Sequence, residues 1–256
     1  MTDNKVDFGG SEFSTNQQQS INERKIDYFE SSLGSSIDKQ QSLMRYMSRQ
    51  DLAKLLCYAD IYNMTSGIAG NIVECGVYYG NGLMTFAKLC ASLEPYNYNC
   101  KVIGFDTFEG NQSISEKDHL SKSESGLHTF EGGYEANTYD DLKRCIEIFD
   151  MDRPLNQFPK VELVKGNICQ TAPEYIENNQ QTLVRILSLT MNLYEPTKAA
   201  LKAFLPRMSK GSVIMPFTLN SDLYPGMTLS ILDELNIKDY QVKTMPNYPN
   251  VNYIVL

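Results

Sequence analysis

The sequence predicts an α/β protein with a doubly wound, mostly parallel seven-stranded sheet that ends in an antiparallel hairpin. Three observations predict it. Five short apolar runs are separated mostly by helix-period segments, the signature of βαβ units. Those runs are near-continuously apolar, as in strands covered on both faces. The end of the chain carries two strand-like runs joined by a Pro/Asn turn, PNYPN. A chain of 256 residues can bury a large single core.

Taken in order, residues 1–42 form a polar segment, expected to be partly disordered and partly helical. STNQQQS is a low-complexity stretch, and Ile21, Ile26, Phe29 and Leu33 give helical spacing over 21–34. The domain proper is expected over 43–256. Its first helix is read over 43–65, with Leu52, Leu55, Leu56, Ala59 and Tyr62 on one face and Gly67 and Gly70 ending it. The strands are placed at 72–77, 101–106, 161–165, 183–189 and 211–215. Helices follow at 82–93, 139–149, 197–205 and 227–235, and the hairpin at 240–245 and 251–256.

Composition narrows the function. The formal net charge is −8, from 31 acidic and 23 basic residues, and a nucleic-acid binder needs the opposite balance. No apolar run reaches the ~18 residues of a membrane span, and the polar start lacks a signal-peptide core, so a cytoplasmic protein without membrane partners is expected. The six cysteines show no C-x-x-C spacing and are read as small buried residues in a reducing compartment. Most of the 16 tyrosines are read as packing and surface.

The segment 107–138 has no apolar periodicity and is too long for an ordinary connection. It is read either as a lid over a substrate or as a passive surface insertion. It holds both histidines, His119 and His128.

The chemistry-bearing residues cluster where strands end. The first strand runs into Glu74-Cys75-Gly76-Val77-Tyr78-Tyr79-Gly80-Asn81-Gly82. Glycines at a strand-to-helix turn let backbone approach a ligand, and the helix start offers free N–H groups. Tyr78 and Tyr79 belong to the loop facing that cleft. The second strand ends in Asp106-Thr107-Phe108, and a carboxylate there suits ribose hydroxyls or caps the turn. The third ends in Gly166-Asn167-Ile168, where an amide either pairs with an adenine edge or turns the chain. The spacing is neither G-x-G-x-x-G nor a Walker-type phosphate loop.

These residues together resemble a class I S-adenosylmethionine (SAM) methyltransferase. IVECGVYYGNGLMTFAKL, IGFDTFEG, VELVKGN, LYEPTKAALKAFLPRM and Tyr224-Pro225-Gly226 resemble, in order, the macrocin O-methyltransferase family over about residues 43–256. Members of that family methylate sugar hydroxyls of deoxysugars and macrolides. The resemblance implies SAM held by Glu74, Gly76, Tyr78 and Gly80, ribose held by Asp106, and adenine near Asn167, where the family usually has Asp. Val77, Tyr79, Gly82, Thr107, Phe108, Gly166 and Ile168 complete the expected cofactor wall. A homo-oligomer is expected on the same ground.

One departure changes the expected mechanism. The family's fourth strand ends in Asp-x-Asp and its fifth in two adjacent acids, and these hold a magnesium-like ion and supply a base. Here those positions are Thr190 and Asn192, then Phe217 and Thr218. Hard cations want carboxylate oxygens, so no metal is expected. Asn192 and Thr190 can hydrogen-bond but cannot take a proton. Met191 and Phe217 either line an apolar acceptor pocket or fill the vacated metal site. A replacement base could come from His119, His128 or Tyr134. Alternatively the acceptor is already nucleophilic (an amine, thiolate or carboxylate), or SAM alone is consumed intramolecularly. The last reading is a SAM-binding protein without catalysis. The expected function is a metal-independent, SAM-dependent methyltransferase-like enzyme acting on a small sugar or natural-product intermediate.

Overall fold

Five parallel strands, β1 (Asn71–Cys75), β2 (Val102–Asp106), β3 (Val161–Lys165), β4 (Val184–Leu189) and β5 (Met208–Pro216), are joined by an antiparallel pair, β6 (Val242–Thr244) and β7 (Asn252–Val255). The computed structural model describes residues 20–119 and 129–256. The strands form one sheet in the order β3-β2-β1-β4-β5-β7-β6. Strand order reverses between β1 and β4, so the crevice of an open α/β sheet falls at their carboxyl ends. β7 returns antiparallel to β5, with Val213 opposite Val255 and Ile214 opposite Ile254.

The described residues fall in two compact units, divided between Leu52 and Ala53. The first contains α1 (Ile21–Ser31), α2 (Ser36–Gln41) and a 3-10 turn at Leu43–Arg45. Neither helix has a buried residue. A capping box of Ser35 and Asp38 starts α2. The Tyr46 ring lies edge-on to Phe29 at 5.0 Å between centroids.

The second unit holds the sheet. Side chains alternate between its faces, as the strand period of two requires. Ile72 and Val102 point into a core shared with α3 (Arg49–Met64), α4 (Asn81–Leu93) and α5 (Tyr139–Met151). Val73 and Ile103 point into a second core built by α6 (Ile168–Asn178), α7 (Tyr194–Phe204) and α8 (Pro225–Glu234). Helices therefore cover both faces, as the apolar strands predict.

Several elements differ from the sequence reading. The continuous helix over 43–65 is broken. Ser48 caps a new helix: its Oγ accepts the Asp51 N–H at 3.0 Å, and the Asp51 carboxylate accepts the Ser48 N–H at 3.4 Å. This S-x-x-D box fixes the start of α3 at Arg49. The buried face of α3 is Cys57, Tyr58, Ile61 and Tyr62, while Leu52, Leu55 and Leu56 are exposed. The sequence there is apolar on more than one side, so leucine spacing points to the wrong face. Helix α6 has no counterpart in the sequence reading; it carries Pro173 in its interior, where proline is ordinarily unfavourable. Four cysteines are buried, but Cys145 is exposed and Cys169 half-buried. Among the described residues no helix is long and apolar enough to cross a membrane.

Residues 107–119 and 129–138 of the long segment are partly fastened to the domain. Phe108 is buried in the first core. A 3-10 turn, Glu116–Asp118, follows a capping box at Ser115. Asp118 is only 3 % exposed; its Oδ1 accepts the Tyr194 N–H at 2.8 Å and its Oδ2 the Ser115 N–H at 2.9 Å. Lys117 Nζ donates to the Tyr194 hydroxyl at 2.7 Å and to Asp233 at 3.0 Å. Removing a buried acceptor strands its donors, so Asp118→Ala is expected to lose about 2 kcal/mol of stability in urea unfolding, with Asp118→Asn losing less.

Candidate functional site

At the carboxyl ends of β1 and β4 lies a cavity of about 300 Å3. Its floor is the turn after β1. Gly76 has φ +93°, and a Cβ there would stand 2.4 Å from Thr190 Oγ1. Only glycine permits both the left-handed backbone and the approach of β4. Gly82 opens the first turn of α4. A Cβ on it would meet Glu74 Oε1 at 2.0 Å and the Tyr58 hydroxyl at 2.7 Å.

Glu74 is 2 % exposed. It accepts a long hydrogen bond from the Tyr58 hydroxyl, 3.5 Å, and one from the Leu83 N–H, yet its Oε2 has no partner in the protein. Burial pushes its carboxyl up to about 8; nearby Lys54 pulls it down and Asp106 pushes it further up. Such an orphaned carboxyl in a cavity wall fits a ligand cation.

Asp106 ties two loops together. Its Oδ2 accepts the Val77 and Tyr78 N–H groups at 2.6 and 2.8 Å, and its Oδ1 accepts the Phe108 N–H at 2.7 Å. It still lines the cavity, and a carboxylate has about four lone-pair sites, so one remains for a ligand hydroxyl. The Asn167 amide is engaged at both ends: Oδ1 accepts the Cys169 N–H at 3.0 Å, capping α6, and Nδ2 donates to Ser113 Oγ at 2.7 Å.

Thr190, Met191 and Asn192 line the side formed by β4. The Thr190 hydroxyl donates to the Gly76 carbonyl at 2.6 Å, with the Cys75 carbonyl at 2.9 Å. The Thr218 hydroxyl donates to Asn192 Oδ1 at 2.6 Å. The donors at the four positions where the resemblance implies a metal are thus two hydroxyls, one amide and a phenyl ring. Both hydroxyls are spent on protein acceptors, and a divalent cation does not fit this set. Among the described residues no group of three His, Cys, Asp or Glu side chains is arranged to hold a metal ion.

Tyr134 also lines the cavity; its hydroxyl is 2.9 Å from that of Tyr224. Burial, then this hydrogen bond, holds its phenol well above the ordinary tyrosine range, so it is protonated at neutral pH. The Tyr78 ring stands edge-on to Tyr79 and Tyr134, with centroids 4.5 and 6.1 Å apart. Tyr78, Tyr134, Asn192 and Thr218 all have φ between +53° and +59°. Left-handed backbone in non-glycine residues gathers where a site is pre-shaped, and for β-branched Thr218 it is an outlier.

Of the residues singled out from sequence, Glu74, Gly76, Val77, Tyr78, Tyr79, Gly82, Asp106, Thr107, Gly166, Asn167 and Ile168 border the cavity, as do Thr190, Asn192 and Tyr134. Gly80 and Phe108 stand outside the lining. A Cβ on Gly80 would run into Leu142, and Phe108 packs in the core. His119 ends the 3-10 turn, exposed and outside the lining, and His128 lies outside the described residues. Sequence reasoning missed Lys54 and Tyr58, which line the cavity from α3. Their i, i+4 spacing was visible, but the leucines claimed the helix face.

The family described as Macrocin-O-methyltransferase (TylF) matches residues 7–218. No curated protein matches the chain. Among solved structures, CalS11, titled a calicheamicin methyltransferase, is 25 % identical with a TM-score of 0.88, covering 94 % of this chain and 93 % of its own. An apo structure of CalS11, titled a TDP-rhamnose 3'-O-methyltransferase of calicheamicin biosynthesis, is 26 % identical with a TM-score of 0.80, covering 94 % and 95 %. The O-methyltransferase NovP shares the fold at 17 % identity and a TM-score of 0.58, covering 81 % and 79 %.

Proposed function

Because this chain belongs to the macrocin-O-methyltransferase family, we propose that it is a SAM-dependent methyltransferase of small sugar or natural-product intermediates that works without a divalent metal. The observation that carries the reading is Glu74: a buried carboxyl with an unpartnered oxygen, at the head of a glycine turn, facing a cavity. SAM supplies a sulfonium-activated methyl group. In this reading Glu74 takes the ligand's positive end, and the backbone from Gly76 to Tyr79 shapes the floor. Asp106 accepts ribose hydroxyls, and the adenine end lies by Gly166, Asn167 and Ile168. Gly80 and Phe108 support that surface from behind. The similarity to CalS11 supports an acceptor of sugar or natural-product type.

Methyl transfer without metal rests on the donor set at Thr190, Asn192, Phe217 and Thr218, which offers hydrogen bonds and no carboxylate. Calorimetry with SAM, followed by mass spectrometry of SAM incubated with enzyme and a metabolite extract, tests the reading. S-adenosylhomocysteine is expected only with extract, at a rate changed less than about twofold by EDTA, because no metal-dependent proton loss is involved. Loss of activity with EDTA and recovery with magnesium would overturn metal independence. That Thr190, Asn192 and Thr218, among the described residues of this wall, offer no base favours a second reading, consumption of SAM alone, which methylthioadenosine without any acceptor would establish. SAM binding with no turnover would leave a binding protein.

A further inference from the structure

We propose that the acceptor is a carboxylic acid, gripped by Lys54 and converted to its methyl ester; this rests on the methyl-transfer reading above. Lys54 lies on α3 one turn before Tyr58, so both side chains reach the same side of the helix. Its Nζ sits 5.5 Å from the Phe217 ring centroid and 5.9 Å from that of Tyr58, and the two rings are 6.4 Å apart. Among the described residues lining the cavity it is the one Lys or Arg, and no described carboxylate is within ion-pair distance of it. Glu74 lies close enough to Lys54 to interact with it electrostatically, and in the proposed complex that carboxyl is matched by the cofactor's positive end. The wall from Thr190 to Asn192 and at Phe217 is uncharged. This end of the cavity therefore presents one positive charge on an aromatic bed, which suits an anion on an apolar body.

The chemistry agrees with the charge. A sugar hydroxyl must lose a proton as it is methylated, and among the described residues of this wall none is placed to take it: Thr190 and Asn192 have no basic form, and Tyr134 is held as a phenol. A carboxylate is already deprotonated. One of its oxygens forms the O–CH3 bond, the S–CH3 bond breaks, and that bond's electron pair stays on sulfur. Anion and sulfonium become neutral ester and neutral thioether, and no proton is released. Positioning alone then suffices.

A carboxylate at Lys54 has two sources, an acceptor or the methionine end of SAM itself, and the test separates them. The full chain, saturated with S-adenosylhomocysteine, is titrated with benzoate and D-glucuronate, and with benzyl alcohol and D-glucose as neutral counterparts. The acids are expected to bind about tenfold or more tightly than the neutral partners, the strength of a charge-assisted hydrogen bond. Lys54→Met is expected to erase that preference and Lys54→Arg to keep it. With SAM in place, turnover of a bound acid is expected to yield a base-labile ester and no proton in a pH-indicator assay. Equal binding of acids and alcohols, or one proton per methyl transferred, would overturn the proposal. So would a Lys54→Met variant that loses SAM affinity but keeps the preference for acids, because Lys54 would then serve the cofactor. Failure to bind either SAM or S-adenosylhomocysteine defeats the methyltransferase reading instead.

Discussion

Glu74→Gln is expected to stabilise the ligand-free protein at alkaline pH while weakening SAM by 10- to 100-fold. The Glu74 carboxyl titrates near 4.5 when exposed and near 8 in the fold, because burial opposes its charge. Its acid is raised, so the folded state binds the extra proton between those values. Wild-type stability therefore falls as pH rises from about 4.5 to 8 and levels off above, by ~5 kcal/mol at most. Glutamine keeps the shape without the charge, and its stability curve should be flat across that window. Cation binding favours the ionised carboxylate, so the wild type should release a proton on binding SAM near pH 7. Calorimetry in phosphate and in Tris buffer reads that proton from the difference in apparent heat. The variant should show no such difference. A wild-type stability curve flat between pH 5 and 8 would contradict the argument.

Gly82→Ala is expected to be the most damaging single-methyl change in the site. The added carbon would meet Glu74 Oε1 at 2.0 Å and the Tyr58 hydroxyl at 2.7 Å, and both neighbours are buried. Neither can swing into solvent, so the Glu74 carboxyl or α4 must shift. Overpacking of this kind costs roughly 1–3 kcal/mol. Because Glu74 is displaced from the place where it meets the ligand, SAM affinity should fall by about 100-fold or more. Thermal unfolding and calorimetry on the same samples separate the two effects. A variant that keeps SAM affinity within about threefold would show that Glu74 does not contact the ligand.

Much of the sheet was legible because its central parallel strands are written as near-continuous apolar runs, and the half-buried edge run 161–165 also matches β3 residue for residue. The glycine turn was legible too, since the strand-to-helix switch falls within a few residues of Gly76. Other features depend on contacts distant in sequence. That Glu74 keeps an unpartnered oxygen depends on Tyr58, 16 residues earlier, and that Lys54 shares the cavity with Phe217 depends on how α3 lies on the sheet. The Asn167 amide looked available for a ligand, but the start of α6 and Ser113 use both its ends. Leucine spacing misjudged α3 because the start of that helix is set by a local capping box and its buried side by aromatic packing.

The left-handed backbones of Tyr78, Tyr134, Asn192 and Thr218 carry a further consequence. Each conformation costs on the order of 1–3 kcal/mol, and none of these residues would choose it alone. The path of the chain around the cavity is therefore imposed by the sheet and helices behind it, not by the side chains it displays. Such a wall behaves like a cast mould with exchangeable inserts. Thr, Asn and Phe can stand where the sequence resemblance implies acids, and the turn that cradles the cofactor need not move. In this arrangement the chemistry of the acceptor can change by substitution at a few positions while the cofactor end keeps its shape.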